Sequence, residues 1–259
     1  MFRVCAHAKE KEYAVSAPLS VRQPAHSDHP LHTAHPAHGG SLREPALSRP
    51  ITLTISTPRG QAHGLWRPSR QNHAAVLLLP GSDGALCGPA GLYTELATLL
   101  QRNAAVAQLG DRHTASLEER RDDVLSVPEA MYRQGVERVA MIGWDTGGVV
   151  ALSAGARSPL VTGIACLAPD LRLDAVIRSD LATLSPRRLL LAHGAADSVV
   201  PQSVSILTHL LAGPNSELLL YPDETHDFTH SRAALLQRLA YWATALLRTP
   251  FRPARVATR

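Results

Sequence analysis

The chain has 259 residues, 45% apolar and 19% charged, with a formal charge of +4. That size suits one substantial core, and the balance is that of a folded globular domain, not a disordered or fibrous chain. The arginines are scattered with no aromatic-interleaved basic stripe, so no nucleic-acid partner is expected.

Residues 1 to about 48 are rich in Pro, His and Ser and lack apolar periodicity. They bury too little surface to offset the entropy of ordering, so a low-complexity tail is expected over 1–48. Within it His26, His29, His32, His35 and His38 recur every third residue, along one edge of a polyproline II helix. That spacing could hold a soft or borderline metal, but a low-complexity tail is the favoured reading, so no metal is expected. Cys5, Cys87 and Cys166 form no CxxC pair, which points to a reducing compartment and not to a disulfide framework; Cys166, in an apolar run, reads as a core residue. The N-terminus lacks an apolar signal core, and no run of about 18 apolar residues occurs. The expected location is the cytoplasm, without membrane attachment.

From residue 51 the pattern becomes regular. "ITLTIST" alternates with period two and "QAHGLW" follows the turn "PRG", which predicts an antiparallel pair at a sheet edge. Then come "AAVLLLP", "AAVAQL", "RVAMIGW", "VTGIACLAP", "RRLLLAHG" and "SELLLYP", short continuous apolar runs suited to strands buried on both faces of a parallel sheet. Between them "GLYTELATLLQRN", "SLEERRDDVLSVPEAMYRQG", "GGVVALSAGAR", "PQSVSILTHLLAG" and "RAALLQRLAYWATALLR" carry helical spacing. The alternation predicts a doubly wound α/β fold, a mostly parallel sheet of about eight strands with helices on both faces, over residues 49–250, with a basic tail at 251–259. Ligands of such folds bind beyond the carboxyl ends of the strands, so functional residues are sought in strand-to-helix loops.

Four loops carry them: Gly81 to Gly84 after "AAVLLLP", "GWDTGG" (Gly143 to Gly148) after "RVAMI", Asp197 after "RRLLLAHG", and "DETHDF" (Asp223 to Phe228) after "SELLLYP". At "GWDTGG", Gly143, Gly147 and Gly148 leave room for an abrupt strand-to-helix turn that holds Asp145 in a strained, exposed position. The following amides open a helix N-terminus, where the dipole favours negative charge. His226 has the loop placement that His193, at a strand end, and His209, inside a helix, lack.

With an elbow Asp, then an Asp, then a His on these loops, the sequence resembles the α/β-hydrolase superfamily, and within it the small capless dienelactone hydrolase-like branch. The resemblance covers nearly all of residues 51 to 248. It implies Asp145 at the nucleophile position, where Ser is usual, Asp197 as the acid and His226 as the base. It also implies an oxyanion hole from the amides of Ser82 and Thr146. A carboxylate attacking a carbonyl gives a readily reversed anhydride, whereas at saturated carbon it displaces a halide or opens an epoxide to leave an alkyl ester. The superfamily's haloalkane dehalogenases and epoxide hydrolases use such an aspartate. In this chain Trp144 precedes Asp145 instead of following it, and only 51 residues separate Asp145 from Asp197, too few for a cap. A shallow, open site is expected.

The expected function is hydrolysis of a small organic substrate, an ester or an alkyl halide or epoxide, through Asp145, Asp197 and His226. The alternative is a silenced α/β-hydrolase scaffold used for binding or assembly. No phosphate loop or dinucleotide fingerprint is present, so no cofactor is expected. The chain is expected to be a monomer or homodimer.

Overall fold

The computed structural model describes residues 49–69, 73–110, 115–172 and 174–248. The readings of residues 1–48, with their spaced histidines, and of 251–259 lie outside the described residues. Strands β1 (Ile51–Thr57) and β2 (Gly60–Arg67) pair antiparallel around a turn at Pro58 and Arg59, as the alternation predicts. They lead into β3 (Ala74–Leu79), β4 (Ala105–Leu109), β5 (Arg138–Trp144), β6 (Val161–Leu167), β7 (Arg188–Gly194) and β8 (Ser216–Tyr221). The sheet order is β1-β2-β4-β3-β5-β6-β7-β8, and β2 also joins β4 antiparallel. The remaining pairings, β4 through β8, are parallel.

The crossovers are helices α1 (Leu92–Leu100), α2 (Leu117–Tyr132), α3 (Thr146–Arg157), α4 (Ala175–Ala182) and α5 (Ser203–Ala212), with α6 (Arg232–Arg248) closing the chain. They divide between the two faces, which is why the central strands read as unbroken apolar runs. In β3, Ala75, Leu77 and Leu79 enter the core shared with α2, α3 and α4, while Ala74, Val76 and Leu78 enter the core shared with α1 and α6. Helix α2 starts on a capping box, in which the Ser116 hydroxyl accepts from the Glu119 amide and the Glu119 carboxylate from the Ser116 amide. Among the described residues no cap domain interrupts the alternation.

Cys166 is buried, and its thiol is pushed up to about 12 by desolvation. Cys87 is disulfide-bonded, and Cys166 is free. Among the described residues no helix is long and apolar enough to cross a membrane.

Candidate active site

Strand β5 ends at Trp144, and helix α3 begins at Thr146, so a single residue makes the turn. That residue, Asp145, has φ 52° and ψ −123°, a region open to glycine but costly for any other side chain. The surroundings leave no other path. A Cβ on Gly143 would lie 2.1 Å from the Gly147 carbonyl oxygen, and one on Gly147 would lie 2.2 Å from that of Pro80. The turn is pinned by the Asp145 amide, which donates to the Leu167 carbonyl at 2.9 Å, and by the Gly148 amide, which donates to the Asp145 carbonyl at 3.0 Å.

The loop after β3 approaches from the side. Its entry is held by the buried Tyr93 hydroxyl, which donates to the Leu79 carbonyl at 3.1 Å, and its far end by Gln108, whose amide group donates to the Leu86 carbonyl at 2.7 Å. The Ser82 amide thereby reaches Asp145 Oδ2 at 3.0 Å. The amide expected to form one half of an oxyanion hole is therefore already occupied by the elbow's own carboxylate. Thr146, the other expected donor, is the first residue of α3, where an amide has no partner within the helix. Its hydroxyl accepts from Arg120 Nη2 at 3.1 Å.

Strand β7 delivers Asp197, whose side chain is fully buried. Its Oδ1 accepts from the amides of Val199 at 2.8 Å and Val200 at 2.9 Å, so one oxygen orders the turn. Its Oδ2 accepts from His226 Nδ1 at 2.8 Å. With Nδ1 committed as donor, Nε2 of His226 faces the elbow, 3.9 Å from Asp145 Oδ1. Asp145, Asp197, His226 and the Ser82 amide thus converge from four separate loops at the carboxyl ends of β3, β5, β7 and β8. Asp227 points away from them, accepting from the Thr225 hydroxyl at 2.8 Å.

Three participants escape a reading by sequence. His193 lies on β7 with no exposed surface; its Nε2 is 2.9 Å from the Val200 carbonyl and 3.3 Å from Asp197 Oδ2, while Nδ1 is 2.7 Å from the Ser205 hydroxyl. Two acceptors at Nε2 assign the proton there, so Asp197 receives donors from two imidazoles. Burial pushes the His193 imidazole below its ordinary value, which keeps it neutral near pH 7. Trp144 is the second. Its ring fills the space where Gly81 lacks a Cβ, lies 5.5 Å from the His226 ring, and its indole N–H donates to the His226 carbonyl at 3.1 Å. The third is Glu224, fully buried, which accepts from the Thr225 amide at 2.9 Å and from the Ser231 amide, and so shapes the loop that carries His226. Burial alone would raise its carboxyl, but these amides hold it below its ordinary value.

Asp145 is only 7% exposed, against the open position expected of it. Its carboxylate turns inward to Ser82, and His226 stands over it. A cavity of about 440 Å³ lined by His73, Asn103, Arg138 and Arg248 lies at the amino ends of β3 to β5, away from this cluster.

Residues 92–248, more than half of the chain, match the dienelactone hydrolase family. The chain belongs to that family. It is an α/β-fold hydrolase, as the alternation and the elbow imply. No curated protein sequence matches the chain. Solved structures similar to it include Est1E from Butyrivibrio proteoclasticus, at 14% identity over 76% of this chain and 99% of that one, with a TM-score of 0.66. A dienelactone hydrolase from Anabaena variabilis aligns at 18% identity over 77% and 99% of the two chains, with a TM-score of 0.67. XC6422 from Xanthomonas campestris, an α/β serine hydrolase without lid, aligns at 17% identity over 81% and 100%, with a TM-score of 0.61. At these identities the likeness is one of fold.

Proposed function

We propose that this family member hydrolyses a small organic substrate by nucleophilic displacement at saturated carbon, with Asp145 as the attacking group. The observation that carries the reading is the Ser82 N–H donated to Asp145 Oδ2. A carbonyl substrate needs that donor for its own oxygen, and here the donor is taken; an alkyl halide or epoxide needs no oxyanion hole in the first step.

Asp145 Oδ1 bonds to the electrophilic carbon as the carbon–halogen or carbon–oxygen bond breaks, and the leaving group takes the electron pair. The product is an ester between Asp145 and the alkyl group. His226, held through Nδ1 by Asp197, then removes a proton from water at Nε2, and the resulting hydroxide attacks Cγ of Asp145. Negative charge collects on an oxygen facing Ser82, where the amide stabilises it. Collapse expels the alkoxide, which takes its proton from His226, and leaves Asp145 as the carboxylic acid; its proton passes to solvent, or to the alkoxide freed when an epoxide opens, and the carboxylate is restored. The oxyanion hole thus serves the second half-reaction.

The 3.9 Å gap between His226 Nε2 and Asp145 Oδ1 is too long for a direct hydrogen bond and fits a base that works on water beside the carboxylate. The indole N–H of Trp144 is committed to the His226 carbonyl, so Trp144 braces the base and does not hold a halide.

Single-turnover reaction in ¹⁸O-labelled water tests the reading. With enzyme in excess, the expected product carries unlabelled oxygen from Asp145, and the label enters the Asp145 carboxylate. Label in the first-turnover product, with Asp145 unlabelled, would make Asp145 a base for water and refute the covalent route.

A further inference from the structure

Helix α5 faces the wrong way for a surface helix. Its buried residues are Ser205 and Thr208, while Leu207, Leu210 and Leu211 are 51%, 69% and 48% exposed. Ser205 is drawn inward by its hydrogen bond to His193, and Thr208 by donating to the Val204 carbonyl at 2.7 Å. The helix contains no Asp, Glu, Lys or Arg, so the outward leucines have no charged residue of α5 beside them. Solvent-facing helices ordinarily show the reverse pattern.

Strand β8 lies beside it and ends the sheet. Its outer edge pairs with no other strand among the described residues, and none of its six residues is fully buried. Leu220 is 41% exposed on the side of the sheet that α5 covers. Natural edges are blunted by Lys, Pro or a bulge; β8 has a single charge, Glu217, already paired with Arg238 of α6. The Arg238 guanidinium also sits 6.0 Å from the ring centre of Tyr241, which is 69% exposed on the other flank. The unpaired strand edge thus lies between two helices that carry exposed apolar side chains, the leucines of α5 and Tyr241 of α6.

We propose that this face joins two copies of the chain about a two-fold axis, β8 against β8 and α5 beside α5. A strand edge is matched by another strand, and identical strands running antiparallel obey a two-fold automatically. An axis through Leu219 sets Leu218 of one copy against Leu220 of the other, on the α5 side, between the outward leucines of both helices. A stable interface buries ~800 Å² per partner, and Leu207, Leu210, Leu211, Leu220 and Tyr241, all more than 40% exposed, are the apolar side chains that these elements bring to it beside the strand's backbone edge. The chain's own ends are poor occupants. Residues 1–48 lack an apolar run, and the described chain enters the sheet at β1, the edge opposite β8; residues 249–259 carry three arginines. The triad lies at the carboxyl ends of the strands and stays open in such a pair.

Sedimentation velocity of the full chain over a wide dilution series tests this. The expected result is a species of twice the 27.8 kDa chain mass. The double variant Leu207→Glu, Leu210→Glu, both positions being solvent-facing, should raise the dissociation constant by roughly a hundredfold or more while circular dichroism stays unchanged. Leu99→Glu, on α1 at 44% exposure, should leave the dimer intact. A wild-type chain that stays monomeric throughout, a double variant that still dimerises, or a dimer that forms only when residues 1–48 are removed would each overturn the proposal.

Discussion

Replacing Asp145 by glycine and, separately, by alanine should reverse the ordinary order of stability for these two residues. Both variants lose the carboxylate and its hydrogen bond from Ser82, so that contribution cancels between them. What differs is the backbone at φ 52° and ψ −123°, which alanine must still adopt against its Cβ and glycine adopts freely. Strain of this kind costs on the order of 1–3 kcal/mol, and glycine loses about 0.4–1 kcal/mol through its freer unfolded chain. The glycine variant should therefore be the more stable by about 1–2 kcal/mol, a difference in Tm of roughly 2–8 °C for a domain of this size. Urea unfolding of the two proteins, read by fluorescence and circular dichroism together, gives the difference directly. Both should lack hydrolase activity. An alanine variant as stable as the glycine variant, or more so, would mean that the elbow stores no strain and that Asp145 is not forced into place.

Gly147→Ala puts a Cβ 2.2 Å from the Pro80 carbonyl oxygen and 2.6 Å from that of Leu79, backbone atoms that cannot step aside; a loss of about 3 kcal/mol or more, seen as poor soluble yield and early unfolding, is expected. Asp197→Asn turns one acceptor oxygen into a donor that must face either the two valine amides or the two imidazoles. It should lower stability by about 2–4 kcal/mol and turnover by on the order of a thousandfold, measured by denaturation and steady-state kinetics. His193 resists protonation in the folded chain because it is buried, whereas the unfolded chain takes up that proton near pH 6.5. Its contribution to stability is thus complete above about pH 6.5 and is lost as the pH falls below it; in His193→Gln that part of the acid slope should vanish from a Tm-against-pH curve.

The fold was largely legible because its signals are local and redundant. Strands such as Ala74–Leu79 and Arg188–Gly194 are buried on both faces and so appear as unbroken apolar runs, and the loops following them carry the site by the logic of the fold. Loop placement together with the superfamily resemblance singled out Asp145, Asp197 and His226, which the fold brings near one another. What could not be read depends on which way a side chain turns once the loops meet. The Asp145 carboxylate bends inward to accept from the Ser82 amide, 63 positions earlier in the chain. His193 looks like one more residue of the buried run of β7, and nothing in that run shows that it meets Ser205 of α5. Helix α5 misleads most: its leucine spacing suggests a buried stripe, yet the hydrogen bond from Ser205 to His193 rotates the polar residues inward and leaves Leu207 and Leu210 outside.

In the proposed chemistry Asp145 forms a covalent bond to substrate and His226 serves only to release it. Intact mass of a His226→Gln variant, after incubation with a panel of alkyl halides and epoxides, tests it most directly. An adduct of the alkyl mass is expected, mapping to Asp145 and absent from the same variant carrying Asp145→Asn. No adduct across the panel, from a protein whose fold is intact, would contradict it and favour a scaffold retained for binding without chemistry.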